Sequence, residues 1–145
     1  MGVKGKQIDN GTITQDKFNL VAPTMPSHAV TLQYMQDTLA GYDTRPSVRA
    51  ATTANITLTG TQTVDAVVLN IGDSVLVKNQ TTASANGLYV VASGAWTRRQ
   101  DANTSAKVTP GMAVYVEEGT ANGGKQYQLT TSGTITLGTT GLTFS

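Results

Sequence analysis

The residues whose types and spacing could support chemistry are concentrated in one glycine-rich segment, residues 119–125 (GTANGGK). It matches the first seven positions of a phosphate-binding loop, but Gln126 stands where that motif needs a Ser or Thr hydroxyl for the metal ion. Phosphate binding also needs a helix that begins at the loop, whereas residues 126–129 alternate as a strand does. The segment is therefore predicted to be a glycine-rich hairpin turn.

The acidic side chains and the single histidine offer little material for acid–base or metal chemistry. Glu117 and Glu118 are adjacent, so on a strand they point to opposite faces and cannot act together on one substrate. His28 is the only histidine and cysteine is absent, which leaves neither a nucleophile with a base nor a transition-metal ligand set. We expect no enzyme activity, no metal ion and no cofactor. Carboxylates that could still meet in the fold are Asp65, Asp73 and Asp101.

Three aromatic residues, Trp96, Tyr89 and Tyr115, could stack on a sugar ring. Trp96, however, is flanked by Ala95 and Thr97 at the predicted start of a strand. A single Trp in that setting is expected to pack in or beside the core, because burial of its large apolar ring is favourable.

The composition points to one β-rich domain. Among 145 residues, 39% are hydrophobic and only 13% are charged, while threonine fills about one position in six. A surface built from uncharged, β-branched residues such as threonine is typical of β-strands. A net charge of +1 without a run of Lys and Arg argues against nucleic acid as a partner, and no apolar stretch is long enough for a membrane span.

Residues 1–26 are predicted to form an extended arm, because apolar positions are few and turn residues are frequent. Residues 27–46 are predicted to form a short helix and a linker, with Ser27 as the N-cap and Gly41 as the stop. The helix carries an apolar stripe that needs cover, and it is predicted to be the oligomer interface: Val30, Leu32, Tyr34, Met35 and Leu39. The apolar residues of the arm are predicted to attach to a larger particle: Ile8, Ile13, Phe18 and Leu20.

Residues 47–145 are predicted to form a small antiparallel β-sandwich or barrel-like domain, so the fold class is mainly β. Alternation of apolar and polar residues with period two predicts strands that are separated by glycine-containing turns. Those strands lie at residues 55–59, 74–78, 87–91, 113–117, 125–129 and 134–137. Strands do not alternate with helices along this segment, so the sequence does not predict a parallel sheet.

Several segments resemble known sequences when they are taken together. Residues 4–20 (KGKQIDNGTITQDKFNL) are similar to the opening segment of many bacteriophage tail-fibre proteins, and residues 29–39 look like the helix that follows it. Five later segments resemble a β domain of phage and prophage tail fibres: residues 47–52 (SVRAAT), 72–82 (GDSVLVKNQTT), 86–91 (NGLYVV), 94–98 (GAWTR) and 116–120 (VEEGT).

The resemblance implies a non-enzymatic virion protein that is assembled in the cytoplasm of the bacterial host. It further implies a homotrimer that forms a tail fibre or anchors one to the tail or baseplate. Fibres normally continue into a shaft and a tip, so the chain is expected to be either the N-terminal piece of a longer fibre or a short adaptor. The alternatives are a capsid decoration or head-fibre protein and a module that binds glycans of the host surface; an enzyme such as a depolymerase comes last.

Overall fold

A computed structural model of the chain describes residues 43–145, and these are mainly β, as predicted. The predicted arm and the predicted helix with its stripe lie outside the described residues. The described strands are β1 (Thr44–Val48), β2 (Ala50–Ala51), β3 (Thr63–Val64), β4 (Val67–Val68), β5 (Ser74–Val77), β6 (Gly87–Val90), β7 (Thr97–Arg98), β8 (Ala113–Val116) and β9 (Gln126–Gln128). Single-turn 3₁₀ helices lie at Ala83–Ala85, Gln100–Ala102 and Ser105–Lys107.

The strands form two main sheets that share one stretch of chain. The first sheet has the order β1-β8-β9 and the second has the order β2-β5-β6-β7, while β3 and β4 form a separate hairpin. Strands β1 and β2 are consecutive, and the chain changes its hydrogen-bonding partner at Arg49. Glu118 N donates to Arg49 O at 2.8 Å from the β8 side, whereas Arg49 N donates to Ser74 O at 2.8 Å on the β5 side. Residues 44–51 therefore join the two sheets.

The expectation of a purely antiparallel domain was wrong at this stretch. Strand β1 pairs with β8 in parallel, and β2 pairs with β5 in parallel, whereas the pairs β5·β6, β6·β7 and β8·β9 are antiparallel. A parallel pair needs only a long connection, which is often a helix but here consists of loops and hairpins. Strand β1 also begins at Thr44, inside the segment that was predicted to be linker.

The second sheet is buried on both faces, which explains its apolar strands. Leu76 of β5 and Leu88 of β6 face a larger core that is shared with the first sheet. Val75 and Val77 of β5 face a smaller core, where the β3–β4 hairpin packs. A strand that is covered on both sides can be apolar at successive positions, and residues 75–77 are fully buried.

Two of the predicted strands, residues 55–59 and 134–137, are not strands in the described fold. Their burial still alternates as predicted, with Ile135 buried between exposed threonines. Side chains replace the missing strand partners: Ile56 N donates to Gln80 Oε1, and Gln80 Nε2 donates to Ile56 O, both at 2.9 Å. In the second segment, Leu137 N donates to Ser105 Oγ at 3.0 Å. The periodicity thus identified the inward-facing residues but not the hydrogen-bonding partners.

The β3–β4 hairpin was not predicted, because its turn lacks the glycine that marks such turns. Asp65 and Ala66 form the two-residue turn, with φ angles of 50° and 67°. Positive φ at both central positions is the type I′ geometry, which matches the twist of a hairpin. Alanine has no side-chain polar group to favour this conformation, so Ala66 is strained.

Candidate functional site

The glycine loop, residues 119–125, connects β8 to β9, and these two strands pair antiparallel with Val114 opposite Tyr127. Gly124 N donates to Val116 O at 2.9 Å, and Val116 N donates to Lys125 O at 2.8 Å, so the ladder continues up to the loop. The prediction of a hairpin turn is confirmed. Because a strand follows the loop, it has no helix N-terminus to offer a phosphate.

The backbone amides of the glycine loop nevertheless hold an anion, the carboxylate of Asp65. Ala121 N donates to Asp65 Oδ1 at 2.9 Å and to Oδ2 at 3.1 Å, and Asn122 N donates to Oδ2 at 2.7 Å. Thr120 N donates to the Asp65 backbone carbonyl at 3.1 Å. Successive N–H groups that converge in this way form an anion-binding concavity. The β3–β4 turn is thereby fastened to the β8–β9 turn.

Two glycines of the loop make this approach possible. A Cβ at Gly119, where φ is 137°, would overlap Asp65 Oδ2. A Cβ at Gly123 would lie 2.5 Å from Gly119 O and 2.7 Å from Gly119 N. Glycine is required at both positions because the carboxylate on one side and the loop backbone on the other leave no room for a side chain.

Asn122 connects the glycine loop to the rest of the domain. Its side chain is buried, with Nδ2 donating to Ala51 O at 2.9 Å and to Thr52 O at 3.3 Å. Tyr127 Oη donates to Asn122 Oδ1 at 2.6 Å. The side-chain amide therefore links the loop to the end of β2 and to β9.

The candidate carboxylates are each bound by other groups, and among them only Asp73 and Glu118 share a partner, the guanidinium of Arg49. Glu117 accepts a hydrogen bond from the Ser47 hydroxyl, while Glu118 Oε1 lies 3.4 Å from Arg49 Nε. Both glutamates are exposed directly after β8, as predicted for the end of a strand. The three aspartates that could have met do not share a contact: Asp65 binds the glycine loop, Asp73 binds Arg49 and Asp101 binds Arg99.

Arg49 is the cation where the two sheets meet. Its Nη1 donates to Asp73 Oδ2 at 2.6 Å, and its Nε faces Glu118. The hydrogen bond with Asp73 raises the pKa of the guanidinium; burial opposes this effect, and the charges of Asp73 and Glu118 add to it.

Arg99 covers the edge of β1 that does not pair with β8. Its guanidinium binds Asp101 through two hydrogen bonds of 2.7 Å, and Nη1 donates to Ser47 O at 3.2 Å. Burial by itself raises the pKa of Asp101, but the hydrogen bonds and the charge of Arg99 outweigh burial and hold that pKa below its ordinary value. The side chain of Arg99 thus supplies a hydrogen bond to a backbone carbonyl of β1.

Two lysines add positive charge near the glycine loop. Lys78 Nζ lies 4.9 Å from the centre of the Tyr127 ring. Burial lowers the pKa of Lys78; the charge of Asp65 opposes this effect, and that of Lys125 reinforces it. Asp65 therefore interacts with the loop amides through hydrogen bonds and with Lys78 through its charge.

The aromatic residues divide between the core and the surface. Trp96 is buried in the smaller core, as predicted, and its Nε1 donates to Gly60 O at 2.8 Å. Tyr89 is buried in the same core and donates through Oη to Ala85 O at 2.7 Å. Tyr115 keeps 48% of its surface exposed on β8.

A shallow depression of about 190 Å³ opens beside the bound carboxylate of Asp65. Its lining comes from the tip of the β3–β4 hairpin and from the start of the glycine loop: Asp65, Ala66, Val67, Glu118, Gly119 and Thr120.

Within residues 43–145, no group of three or more His, Asp or Glu side chains is placed to hold a metal ion. Over the same residues, no helix has the length and apolar character of a membrane span.

The predicted interface and attachment residues all precede residue 43 and lie outside the described residues. The contacts that organise the described domain were missed from sequence, above all those of Asp65 and Asn122. Asp65 lies 57 positions before Asn122, and nothing local in either segment indicates the contact. The glycines at 119 and 123 were a usable signal, since a backbone that needs them approaches something closely.

Comparisons of the chain with protein-family models, with curated proteins and with solved structures found no match.

Proposed function

We propose that the chain is a non-enzymatic structural protein of a bacteriophage virion, a tail fibre or a fibre-anchoring component that attaches to the tail or baseplate. The resemblance of residues 4–20 and of five later segments supports the phage assignment. The way in which those later segments contact one another supports a structural role.

The observation that carries the proposal is the convergence of three resembling segments on Arg49. Arg49 belongs to residues 47–52, Asp73 to residues 72–82 and Glu118 to residues 116–120. The three side chains meet at the point where the chain passes from the first sheet to the second. Residues of the resembling segments therefore meet where the two sheets join, which is the role expected of a structural building block rather than of an open site.

The other resembling segments are also adjacent in the fold. Strands β5, β6 and β7 come from residues 72–82, 86–91 and 94–98, and they are consecutive strands of the second sheet. These neighbouring segments thus form consecutive strands of one sheet, and this supports interpreting the resemblance as that of a folded unit.

Homotrimer formation through the predicted helix can be tested by light scattering at micromolar concentration. We expect a trimer mass for the intact chain and a smaller mass for Leu39→Asp, because the charge would disrupt the predicted apolar stripe. Gln36→Asp is the matched control, since Gln36 does not belong to that stripe. A monomer mass for the intact chain would contradict the trimer.

Attachment through the arm can be tested by incorporation into particles. Deleting residues 1–26, or replacing Ile8, Ile13, Phe18 and Leu20 by Ser, should abolish incorporation and leave the thermal transition of the β domain unchanged. Unaltered incorporation would indicate that the sheets, and not the arm, attach to the particle.

Immunogold labelling of virions determines where the protein lies on the particle: label at the tail supports the proposal, and label over the capsid favours a decoration or head-fibre protein.

The non-enzymatic assignment predicts that intact protein leaves host capsule, lipopolysaccharide and peptidoglycan unchanged. The assay measures new reducing ends and released fragments. Turnover that is lost in Glu117→Ala or Glu118→Ala, while fold and assembly remain intact, would refute this part of the proposal.

Binding of a host-surface glycan is the second candidate, and the exposed ring of Tyr115 favours it. Gln126 lies opposite Tyr115 across the β8–β9 pair, so an aromatic ring and an amide are adjacent at the surface. Binding on a glycan array that Tyr115→Ala abolishes and Tyr115→Phe retains would establish this function. A protein that acts only as a connector binds no glycan.

A further inference from the structure

We propose that the glycine loop, residues 119–125, is a small-oxyanion site that the chain fills with its own Asp65 carboxylate, and that removal of this carboxylate lets a free carboxylate or phosphate occupy the loop. The proposal is independent of the virion role. It concerns the chemistry of the loop and identifies the occupant that excludes other anions.

The first argument is the geometry of the donors. Three successive amides, those of Thr120, Ala121 and Asn122, point at one residue, and two of them bind its carboxylate oxygens at 2.7–3.1 Å. Charge-assisted hydrogen bonds of this length are those that a free carboxylate or phosphate oxygen would accept. The donors are backbone groups, so their direction is fixed by the loop and not by the occupant.

The second argument is that the loop is shaped by contacts other than Asp65. The ladder of β8 and β9 continues to Gly124, and the Asn122 side chain is fastened to Ala51 and Tyr127. These contacts do not involve the carboxylate and should persist without it. A concavity that is held open in this way retains its donors when the occupant is removed.

The third argument is the route by which another anion would enter. Asp65 comes from a separate hairpin, and the depression beside it opens to solvent. Lys78 and Lys125 supply positive charge, since both Asp65 and Lys125 influence the pKa of Lys78. Loss of the Asp65 carboxylate removes the anion that the loop amides bind, while Glu118, which also lines the depression, remains beside Arg49.

The bound carboxylate also bears on the match between this loop and the phosphate-binding motif. The amides that would cradle a phosphate already donate to Asp65. An external anion must displace a carboxylate that is tethered at high effective concentration, and this competition is unfavourable.

The experiment uses Asp65→Gly in the full chain. Glycine tolerates the φ of 50° at this position, so the variant removes the carboxylate without adding backbone strain. Its Tm is measured in about 200 mM sodium acetate and in sodium chloride of equal ionic strength. Acetate should raise the Tm by about 3 °C or more over chloride, since a ligand that binds only the folded state stabilises it. Inorganic phosphate should do the same.

Two controls separate occupation of the site from general salt effects. The wild-type chain and Ala66→Gly both keep the Asp65 carboxylate, so they should show only the general salt effect of acetate or phosphate over chloride, and the gain of Asp65→Gly should exceed theirs by about 3 °C or more. Ala66→Gly places a glycine in the same turn and keeps the carboxylate, so it controls for the backbone change. An equal gain in all three proteins would overturn the proposal, as would the absence of any gain in Asp65→Gly.

Amide NMR locates the binding. In Asp65→Gly, acetate should shift the amide signals of Ala121 and Asn122 in a saturable manner, while the wild-type signals stay in place. Shifts confined to other parts of the domain would overturn the assignment of the site. Should Asp65→Gly be unfolded in chloride, acetate should restore the native spectrum. Failure of acetate to restore it would equally overturn the proposal.

Discussion

Replacing Asn122 by Ala should destabilise the domain strongly, although the residue lies in a loop. The change removes two donated hydrogen bonds, to Ala51 O at 2.9 Å and to Thr52 O at 3.3 Å, and the one accepted from Tyr127 Oη at 2.6 Å. A hydrogen bond contributes about 1 kcal/mol net, and a buried partner that is left unpaired costs about 1–3 kcal/mol. Because Asn122 is only 4% exposed, water cannot readily replace it. We expect a loss of about 2–4 kcal/mol.

The free energy of unfolding is measured by urea titration with circular dichroism as the probe, and the Tm is measured in a separate thermal scan. For a domain of this size the Tm should fall by roughly 4–8 °C for each kcal/mol lost. The matched control is Asn70→Ala, because Asn70 is exposed and its backbone N, which donates to Asp73 Oδ2 at 2.7 Å, is unchanged by the substitution. The control should stay within about 0.5 kcal/mol of wild type.

A double-mutant cycle with Tyr127→Phe tests the proposed contact directly. If the Tyr127 hydroxyl and the Asn122 amide depend on each other, the double variant should lose less than the sum of the single losses, by about 1 kcal/mol. Strict additivity would show that the two side chains do not interact. A loss below about 0.5 kcal/mol for Asn122→Ala would refute the view that this amide ties the loop to β2.

Three further predictions concern the turns and the ion pair of Arg99 with Asp101. Ala66→Gly should raise the free energy of unfolding by about 0.5–1 kcal/mol in a urea titration, because glycine relieves the strain at a φ of 67°; an unchanged midpoint would contradict this. Gly123→Ala should lower it by about 2 kcal/mol or more, since the new Cβ would lie 2.5 Å from Gly119 O, and a wild-type Tm would be the contrary result. Because Arg99 holds the pKa of Asp101 below its ordinary value, the stability from this pair is fully present above about pH 4 and is lost as the pH falls through the lowered pKa. Urea titrations from pH 5 to about pH 2 should therefore show a steeper acid loss for wild type than for Asp101→Asn, and parallel curves would argue against the pair.

The sequence predicted where four of the strands lie and which side chains of two further extended segments face inward. Alternation placed β5, β6, β8 and β9 close to their observed positions, and it identified Ile135 as buried although no strand forms there. Alternation is a local property, because successive side chains of any extended segment point to opposite sides. The same local reasoning recognised the glycine loop as a turn, since a following strand is incompatible with a phosphate-binding helix.

The partners of those residues were decided only by the tertiary structure. Three contacts join segments that are distant in the chain. They are the parallel pairing of residues 44–51 with β5 and β8, the replacement of a strand partner by the Gln80 side chain, and the binding of Asp65 by the glycine loop. Hydrogen-bonding groups of the backbone are nearly the same at every residue, so the pattern of side chains cannot specify which amide meets which acceptor. That choice follows from the packing of the two cores, which brings the hairpin of Asp65 beside a loop whose glycines leave room for a carboxylate.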